Sequence, residues 1–363
     1  MATADATGDA TIMGTLSDEE PPPSKSTTIV NPLGAGHTHT VIFLHGREDF
    51  GEYMAEFLSD KSSDGRTLPE KFPTMRWVFP TAKLRFSARR KEELCISSFP
   101  SLESEQFISQ WFDVWDVRNP EEKKELAIPG LRESIRQILE IIEQEAKIVP
   151  MERIILGGLS QGCATAILTL LSSGLEIGAF IGWCGWLPLQ RSIEEFDDGC
   201  IGNKRDISRH IQTILQSPDG NNRQRKQLFP ASNGLTSDPG VGIANSSKDD
   251  APSEQIIPAS SEITSGPGGG IPSTLRDVEF NKAANILSGF PEGTQPATKT
   301  PLFLAHSEDD EIVPFELGND LHQIMKRLGF NVTWKKYKDG GHWIQPDHGL
   351  DDMCTFLEGV MNI

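Results

Sequence analysis

The sequence lacks several features that mark large classes of protein. Its five cysteines are scattered and form no Cys-x-x-Cys pair, so we expect free thiols in a reducing compartment, the cytoplasm or also the nucleus. No apolar run approaches the roughly 20 residues that a membrane-spanning helix needs, and the polar, acidic N-terminus has no signal-peptide core. No Lys/Arg-rich block offsets the net charge of −18, which argues against nucleic acid as a partner.

Motifs for metals and cofactors are missing from the sequence as well. The cysteines do not fall at metal-ligand spacing, and no dinucleotide-binding fingerprint is present. The glycine-containing stretch at 157–160 lacks the lysine of a phosphate-binding loop. The sequence therefore predicts chemistry that uses neither a metal nor a cofactor.

The sequence does contain a regular alternation of apolar runs and amphipathic patterns. Short apolar runs predict strands at 40–44, 75–80, 154–159, 177–187, 301–306 and 332–337. Helical periodicity predicts helices at 130–148, 161–171, 314–328 and 349–360. This order predicts an α/β fold, in which helices cover both faces of a mostly parallel central sheet.

Two segments depart from this alternation. Residues 1–35 are polar and acidic, and we expect a disordered tail there. Between about 191 and 298 turn-forming and polar residues dominate, so we expect one long, partly disordered insertion in a domain that spans 36–363. Within it, apolar residues at helical spacing predict one helix that starts at Asp206 and a second around 278–290.

The segment Gly158-Leu159-Ser160-Gln161-Gly162 carries the strongest chemical signal. It follows an apolar strand-like run and precedes an Ala/Leu-rich helical run, which is the setting of a Gly-x-Ser-x-Gly nucleophile elbow. A Cβ at either glycine would collide with the flanking strand or helix. The start of the following helix directs free N–H groups at any oxyanion formed on Ser160. We therefore predict that Ser160 is a nucleophile.

The C-terminal part of the sequence offers partners for this serine. A serine hydroxyl needs a general base, and the base needs an acid that orients it. Along chains with a nucleophile elbow these groups follow in the order Ser, Asp or Glu, His. His342 follows the last predicted strand and fits the base. The acid falls in the acidic run 308–311 after the preceding strand, where all four side chains have suitable chemistry.

Six segments match one protein family in chain order. They are Val41–Asp49, Trp111–Asp113, Ile154–Gly162, Trp186–Leu189, His306–Pro314 and the glycine-preceded His342. With these segments the chain resembles the acyl-protein thioesterase, lysophospholipase and carboxylesterase family of small α/β-hydrolases. The resemblance covers most of 40–190 and 300–361, and it implies the α/β-hydrolase fold for the predicted sheet and helices.

The resemblance assigns catalytic roles to individual residues. It implies that Ser160 is the nucleophile and that His342 is the base. The family pattern in the acid loop is His-Gly-x-x-Asp-x-x-Val-Pro, which falls on His306–Pro314. It therefore implies that Asp310, and not its neighbour Asp309, is the acid.

The resemblance also implies an oxyanion hole and a binding residue. The oxyanion donors would be the backbone N–H groups of Arg47 and Gln161. Trp111 would line the acyl site, with core packing as the alternative. Several residues depart from the family pattern: Arg47 replaces a usually apolar residue, and Glu48, Cys163 and Ser307 each replace a glycine. We expect these departures to alter substrate preference more than the reaction.

The implied function is that of a serine hydrolase cleaving acyl thioesters or esters, with S-palmitoyl protein as the favoured substrate. Lysophospholipids and small carboxylic esters are the alternatives, because the motifs encode attack on a carbonyl and leave the leaving group open. A non-catalytic binding protein on the same fold is a third hypothesis. Expected partners are acylated proteins or lipid and small-molecule esters, with peripheral contact to a membrane. The insertion at 191–298 would serve as a lid or as a docking segment.

Overall fold

The computed structural model describes residues 27–34, 36–96, 107–199, 206–216 and 297–361. All of them belong to one structural unit. The strands are β1 (Thr28–Val30), β2 (His39–Leu44), β3 (Met75–Phe79), β4 (Leu84–Phe86), β5 (Phe107–Ser109), β6 (Ile154–Leu159), β7 (Ala179–Trp183), β8 (Leu302–Ser307) and β9 (Val332–Tyr337). The helices are α1 (Gly51–Met54), α2 (Leu68–Lys71), α3 (Ala88–Ile96), α4 (Ala127–Glu145), α5 (Gln161–Ser173), α6 (Gln190–Gly199), α7 (Asp206–Gln216), α8 (Phe315–Arg327) and α9 (Gly349–Met361).

The main sheet has the strand order β1-β3-β2-β6-β7-β8-β9. Neighbouring strands are parallel except for β1, which runs antiparallel to β3. Parallel strands need crossover connections, and in this chain helices supply them. The fold is therefore the predicted mostly parallel α/β sheet. The carboxyl ends of β2, β6, β7, β8 and β9 meet at one edge, which is where open α/β sheets place their sites.

The strand β6 and the helix α5 form the centre of the fold. All six residues of β6 are buried, between β2 on one side and β7 on the other. The helix α5 is apolar around most of its circumference and is buried along nearly its whole length. A helix without a polar face packs inside a protein, so the junction between β6 and α5 is held rigidly from all sides.

Most predicted elements are present, and the predicted bounds of β6 and β9 match the observed ones. The strand predicted at 177–187 is shorter, because β7 ends at Trp183 and Cys184 adopts a φ of 49°. The sequence pattern does not predict β1, β4 or β5, which have three residues each. Strands of that length show no periodicity, and pairing with a neighbour defines them.

A short strand lies inside the range 1–35, where the sequence pattern predicts a tail. This strand, β1, pairs with β3, with Ile29 opposite Val78. Residues 28–30 are therefore part of the main sheet.

The predicted insertion at 191–298 also contains ordered elements. The helix predicted from Asp206 is confirmed as α7, whose apolar side chains Ile207, Ile211, Ile214 and Leu215 are buried. It lies against α4 and α5, where the Arg132 guanidinium donates to the Leu215 carbonyl at 2.6 Å. The second helix predicted at 278–290 lies outside the described residues. In the part of the chain that the structure describes, no helix has the length and apolar character needed to cross a membrane.

Candidate active site

Ser160 lies at the tight turn between β6 and α5, as the elbow pattern predicts. Its backbone has φ 57° and ψ −122°, a conformation that residues with a side chain rarely adopt. The turn is fixed by a hydrogen bond from the Ser160 N–H to the Trp183 carbonyl at 2.8 Å. The Ser160 carbonyl accepts from Ala164 N–H at 3.0 Å and so starts α5. The strained turn presents the serine at the carboxyl edge of the sheet.

Two glycines make this turn possible. A Cβ on Gly158 would lie 2.6 Å from the Gly162 carbonyl carbon and 2.8 Å from the Leu44 carbonyl oxygen. A Cβ on Gly162 would lie 2.3 Å from that same Leu44 oxygen. These separations are far below van der Waals contact, and the obstacles are backbone atoms that cannot move aside. The Gly-x-Ser-x-Gly spacing is thus a steric requirement of packing β6 and α5 against β2.

Asp310 lies in the loop after β8, and its buried carboxylate is held by four donors. Its Oδ1 accepts from the backbone N–H groups of Ile312 and Val313, each at 2.9 Å. Its Oδ2 lies 2.7 Å from His342 Nδ1 and 3.2 Å from His306 Nε2. Burial alone would raise the pKa of Asp310, but the hydrogen bonds from His306 and His342 outweigh it and hold that pKa below its usual value. The carboxylate is therefore ionised and fixed in one orientation.

His342 lies in the loop after β9, directly beyond two glycines with left-handed backbones. Gly340 has φ 125° and Gly341 has φ 59°, so both positions favour glycine. The Gly341 N–H donates to the Asp309 carboxylate at 2.9 Å. Asp309, the alternative acid, thus binds the backbone of this loop, whereas Asp310 contacts the imidazole itself. The His342 side chain is 20% exposed, which leaves it accessible from solvent.

The loop after β2 lies against the serine elbow. A Cβ on Gly46 would be 3.6 Å from the Ser160 Cβ, so this loop passes close to the elbow. His45 is buried beneath the loop, and its Nδ1 donates to the Gly46 carbonyl at 2.6 Å. Its Nε2 accepts from the Ala82 N–H at 3.0 Å. Both hydrogen bonds require a neutral imidazole protonated on Nδ1.

Trp111 supports the same loop. Its indole N–H donates to the His45 carbonyl at 2.9 Å, and its ring lies 5.0 Å from the His45 imidazole. The Trp111 N–H donates to the Gln161 side chain at 2.8 Å, which ties the segment to the first residue of α5. The side chain is fully buried, so the structure shows it in packing. Its contact with a substrate stays a prediction.

The two unusual residues of the loop form a charged cluster. Arg47 donates from Nε to the Gln110 side chain at 3.2 Å and from Nη2 to the Ser87 hydroxyl at 3.1 Å. Glu48 has φ 67°, the left-handed conformation suited to the glycine of the family pattern. Its carboxylate pairs with Arg90 and lies 3.5 Å from Arg47 Nη1. The loop is thereby anchored to the small sheet of β4 and β5 and to α3.

Cys184 completes the surroundings of the acid and the imidazole. Its thiol, the Asp310 carboxylate and the His342 ring offer ligand atoms that lie within 4.8 Å of one another. Burial raises the pKa of the Cys184 thiol well above its usual range. The Asp310 oxygens already accept four hydrogen bonds, so the grouping fits a hydrogen-bonded pair beside a neutral thiol better than a metal site.

A small cavity lies between the segment 112–127 and the segment 186–189. Its volume is about 10 Å³, which is room for about one water molecule. Its apolar lining includes Phe112, Trp115, Trp186 and Leu189. The Gln161 side chain donates to the Phe112 carbonyl at 2.9 Å, which connects the pocket wall to the start of α5. Trp186 and Leu189 belong to one of the segments that resemble the family.

A mostly parallel sheet with a serine elbow after its central strand and an Asp–His pair after its last two strands defines an α/β-hydrolase fold. Residues 25–202 and 276–361 match the Phospholipase/Carboxylesterase family, and the chain belongs to that family. The match leaves out residues 203–275, which lie inside the insertion predicted at 191–298. The two ends of that predicted insertion, 191–202 and 276–298, are therefore part of the family match.

Curated relatives are acyl-protein thioesterases. The chain is 29% identical to acyl-protein thioesterase 1 of Schizosaccharomyces pombe over 166 residues, or 45% of this chain and 62% of that protein. It is 22% identical to acyl-protein thioesterase 1 of Gibberella zeae over 339 residues, or 91% of this chain and 93% of that protein. The first of these matches thus spans less than two thirds of the relative.

Solved structures show the same fold. Acyl-protein thioesterase 2 of Zea mays superposes with a TM-score of 0.50 at 19% identity, over 92% of this chain and 98% of that one. Esterase PE8 superposes with a TM-score of 0.52 at 15% identity, with the same coverage. At these identities the likeness concerns the fold alone.

Proposed function

We propose that this chain is a serine hydrolase that cleaves acyl thioesters or esters, with Ser160, His342 and Asp310 as its catalytic triad. The observation that carries the proposal is the 2.7 Å contact between Asp310 and His342 at the sheet edge where the strained Ser160 turn also lies. An acid that holds the imidazole in one tautomer leaves Nε2 free to accept the serine proton. Membership of the Phospholipase/Carboxylesterase family supports the same chemistry.

The proposed reaction has two halves. His342 Nε2 takes the Ser160 proton as Oγ attacks the acyl carbonyl, and the N–H groups of Arg47 and Gln161 bind the resulting oxyanion. The intermediate collapses, the bond to the leaving thiol or alcohol breaks, and His342 returns the proton to that group. Water then loses a proton to His342 and attacks the acyl-enzyme, which releases the carboxylic acid and restores Ser160.

The favoured substrate is an S-acylated, above all S-palmitoylated, protein. The support is that the curated relatives at 22–29% identity are named acyl-protein thioesterases. The enzyme would act in the cytoplasm at the surface of membranes that carry its substrates. The free thiols of the buried residues Cys163, Cys184 and Cys354 agree with a reducing compartment.

Hydrolysis of lysophospholipids or small carboxylic esters is the second candidate. The charged cluster of Arg47, Glu48 and Arg90 favours it, because Arg47 and Glu48 stand in the loop after β2 where the family pattern has an apolar residue and a glycine. A charged or polar leaving group would fit such surroundings better than an apolar one.

A fluorophosphonate probe tests the nucleophile. Wild-type protein should be labelled, and Ser160→Ala should not. Ser172→Ala is the matched control, because Ser172 is a buried serine of the helix α5 that follows Ser160, and this variant should be labelled like the wild type. Equal labelling of Ser160→Ala and wild type would refute the assignment. No labelling and no hydrolysis by a folded wild type would favour the binding-protein hypothesis.

A substrate panel separates the two candidates. Purified protein should be compared on an S-palmitoyl peptide, lysophosphatidylcholine and a short p-nitrophenyl ester. The thioesterase proposal predicts the highest kcat/KM on the peptide. A higher kcat/KM on lysophosphatidylcholine would instead establish the second candidate.

A further inference from the structure

His306 is a buried histidine outside the proposed triad. It lies near the end of β8, and its side chain is fully buried. Its Nε2 lies 3.0 Å from the Val313 carbonyl oxygen and 3.2 Å from Asp310 Oδ2. Both neighbours are acceptors, because Asp310 is ionised and a carbonyl cannot donate. The proton of the imidazole must therefore be on Nε2.

The other ring nitrogen of His306, Nδ1, lies in apolar surroundings. Among the described residues, His306 Nδ1 has no hydrogen-bond partner. On that side the ring packs against Gly318 of α8, where a Cβ would lie only 2.1 Å from Nδ1. The Phe315 ring meets the imidazole edge-on at 5.9 Å. A second proton on Nδ1 would be buried without an acceptor, so the geometry requires a neutral ring.

The contact with His306 limits the orientation of the Asp310 carboxylate. Oδ1 of Asp310 is held by the backbone of its own loop, and Oδ2 is shared between His306 and His342. Without the His306 donor, Oδ2 would lose one of its hydrogen bonds, and the carboxylate could rotate away from its alignment with His342. An acid that orients a general base works through such alignment.

We propose that His306 is a positioning residue: a neutral imidazole, protonated on Nε2, that fixes the Asp310 carboxylate toward His342. This inference rests on the proposed function, since it assigns His306 a role in the same hydrolysis. His306 touches neither the serine nor the acyl group. It acts through Asp310 alone.

Other titratable groups near the Asp310–His342 pair have contacts or protonation states of their own. From the loop after β8, Asp309 binds the Gly341 N–H, and Glu308 pairs with Lys336 of β9 at 2.7 Å. From the end of β7, the Cys184 thiol is neutral because burial raises its pKa. A change in the pH dependence of activity on replacing His306 would therefore report on the Asp310–His342 pair.

Three variants test the role. In His306→Gln the amide nitrogen reaches the place of Nε2 and can donate to Asp310, whereas in His306→Asn it reaches the place of Nδ1. His306→Leu has no donor. We expect kcat/KM within about 3-fold of wild type for Gln and a loss of roughly 10- to 100-fold for Asn and Leu. The acid limb of the rate–pH profile should move to lower pH in Asn and Leu and stay in place in Gln. Equal activity of all three, or equal loss in all three with normal thermal stability, would overturn the proposal.

A measurement on wild-type protein keeps the proposal testable if these variants fail to fold. The ¹⁵N chemical shifts of the His306 ring at neutral pH should be those of a neutral imidazole with the proton on Nε2. A proton on Nδ1, or a charged ring, would refute it. This measurement does not depend on enzyme activity. If the wild type showed no hydrolase activity, the proposed function would be refuted, and the chemical shifts would still show which His306 nitrogen carries the proton.

Discussion

Acidification should destabilise the protein through His45, the buried imidazole beneath the loop after β2. Its Nε2 accepts from the Ala82 N–H at 3.0 Å, and its Nδ1 donates to the Gly46 carbonyl at 2.6 Å. Burial lowers the pKa of His45 from 6.5 to about 4, although the hydrogen bond to Gly46 opposes part of this effect. A proton on Nε2 would break the bond to Ala82 and leave a buried charge.

The sign and size of the effect follow from linkage. The imidazole takes up a proton near pH 6.5 in the unfolded chain and near pH 4 in the folded one. Its contribution to the free energy of unfolding is therefore fully present above about pH 6.5 and is lost as the pH falls toward 4. The difference from 6.5 to about 4 corresponds to roughly 3 kcal/mol, at about 1.4 kcal/mol per pKa unit.

Urea unfolding of wild type and His45→Gln, at about pH 7 and about pH 4.5, measures this contribution. Glutamine can accept from the Ala82 N–H and does not titrate, while every other group titrates alike in both proteins. The free-energy advantage of wild type over His45→Gln should shrink by about 2–3 kcal/mol between the two pH values. A constant difference, or a His45 NMR titration near pH 6.5, would refute the reasoning.

Three further substitutions probe the acid and one departure from the family pattern. Asp310→Asn should lower kcat by roughly 10³- to 10⁴-fold, whereas Asp309→Asn should lower it by no more than about 10-fold, because Asp309 binds backbone and Asp310 binds the imidazole. Similar losses on steady-state ester hydrolysis would contradict the assignment. Glu48→Gly should change the free energy of urea unfolding by less than about 1 kcal/mol, since relief of the left-handed backbone offsets the lost ion pairs and the entropy of glycine. A loss of several kcal/mol would show instead that Glu48 anchors the loop.

The centre of the fold could be predicted from the sequence, because local sterics determine it. The apolar run 154–159 suits a buried strand, and the glycines at 158 and 162 are required wherever a serine turn packs this closely on a neighbouring strand. Three-residue strands such as β4 carry no comparable pattern, since their existence depends on a partner.

The choice between neighbouring acids could not be made from residue chemistry alone. Asp309 and Asp310 have identical side chains, and the loop geometry decides which of them faces the imidazole. The family pattern favours Asp310, and the structure places that residue against His342. Asp310 also contacts His306, which lies near the end of β8, four residues earlier in the chain. The acidic run in the sequence gives no sign of this second contact between the Asp310 carboxylate and a histidine.

Glu48 shows how the loop tolerates a residue that the family pattern reserves for glycine. A left-handed backbone costs a residue with a Cβ about 1–2 kcal/mol. Here the Glu48 N–H donates to the Ser109 carbonyl at 2.7 Å, and its carboxylate pairs with Arg90 and Arg47. The backbone conformation is thus kept, while two charged side chains stand where the family pattern has none. Because Gly46 keeps its place close to Ser160, we infer that the substitutions change which acyl or leaving group is admitted and leave the bond-breaking geometry intact.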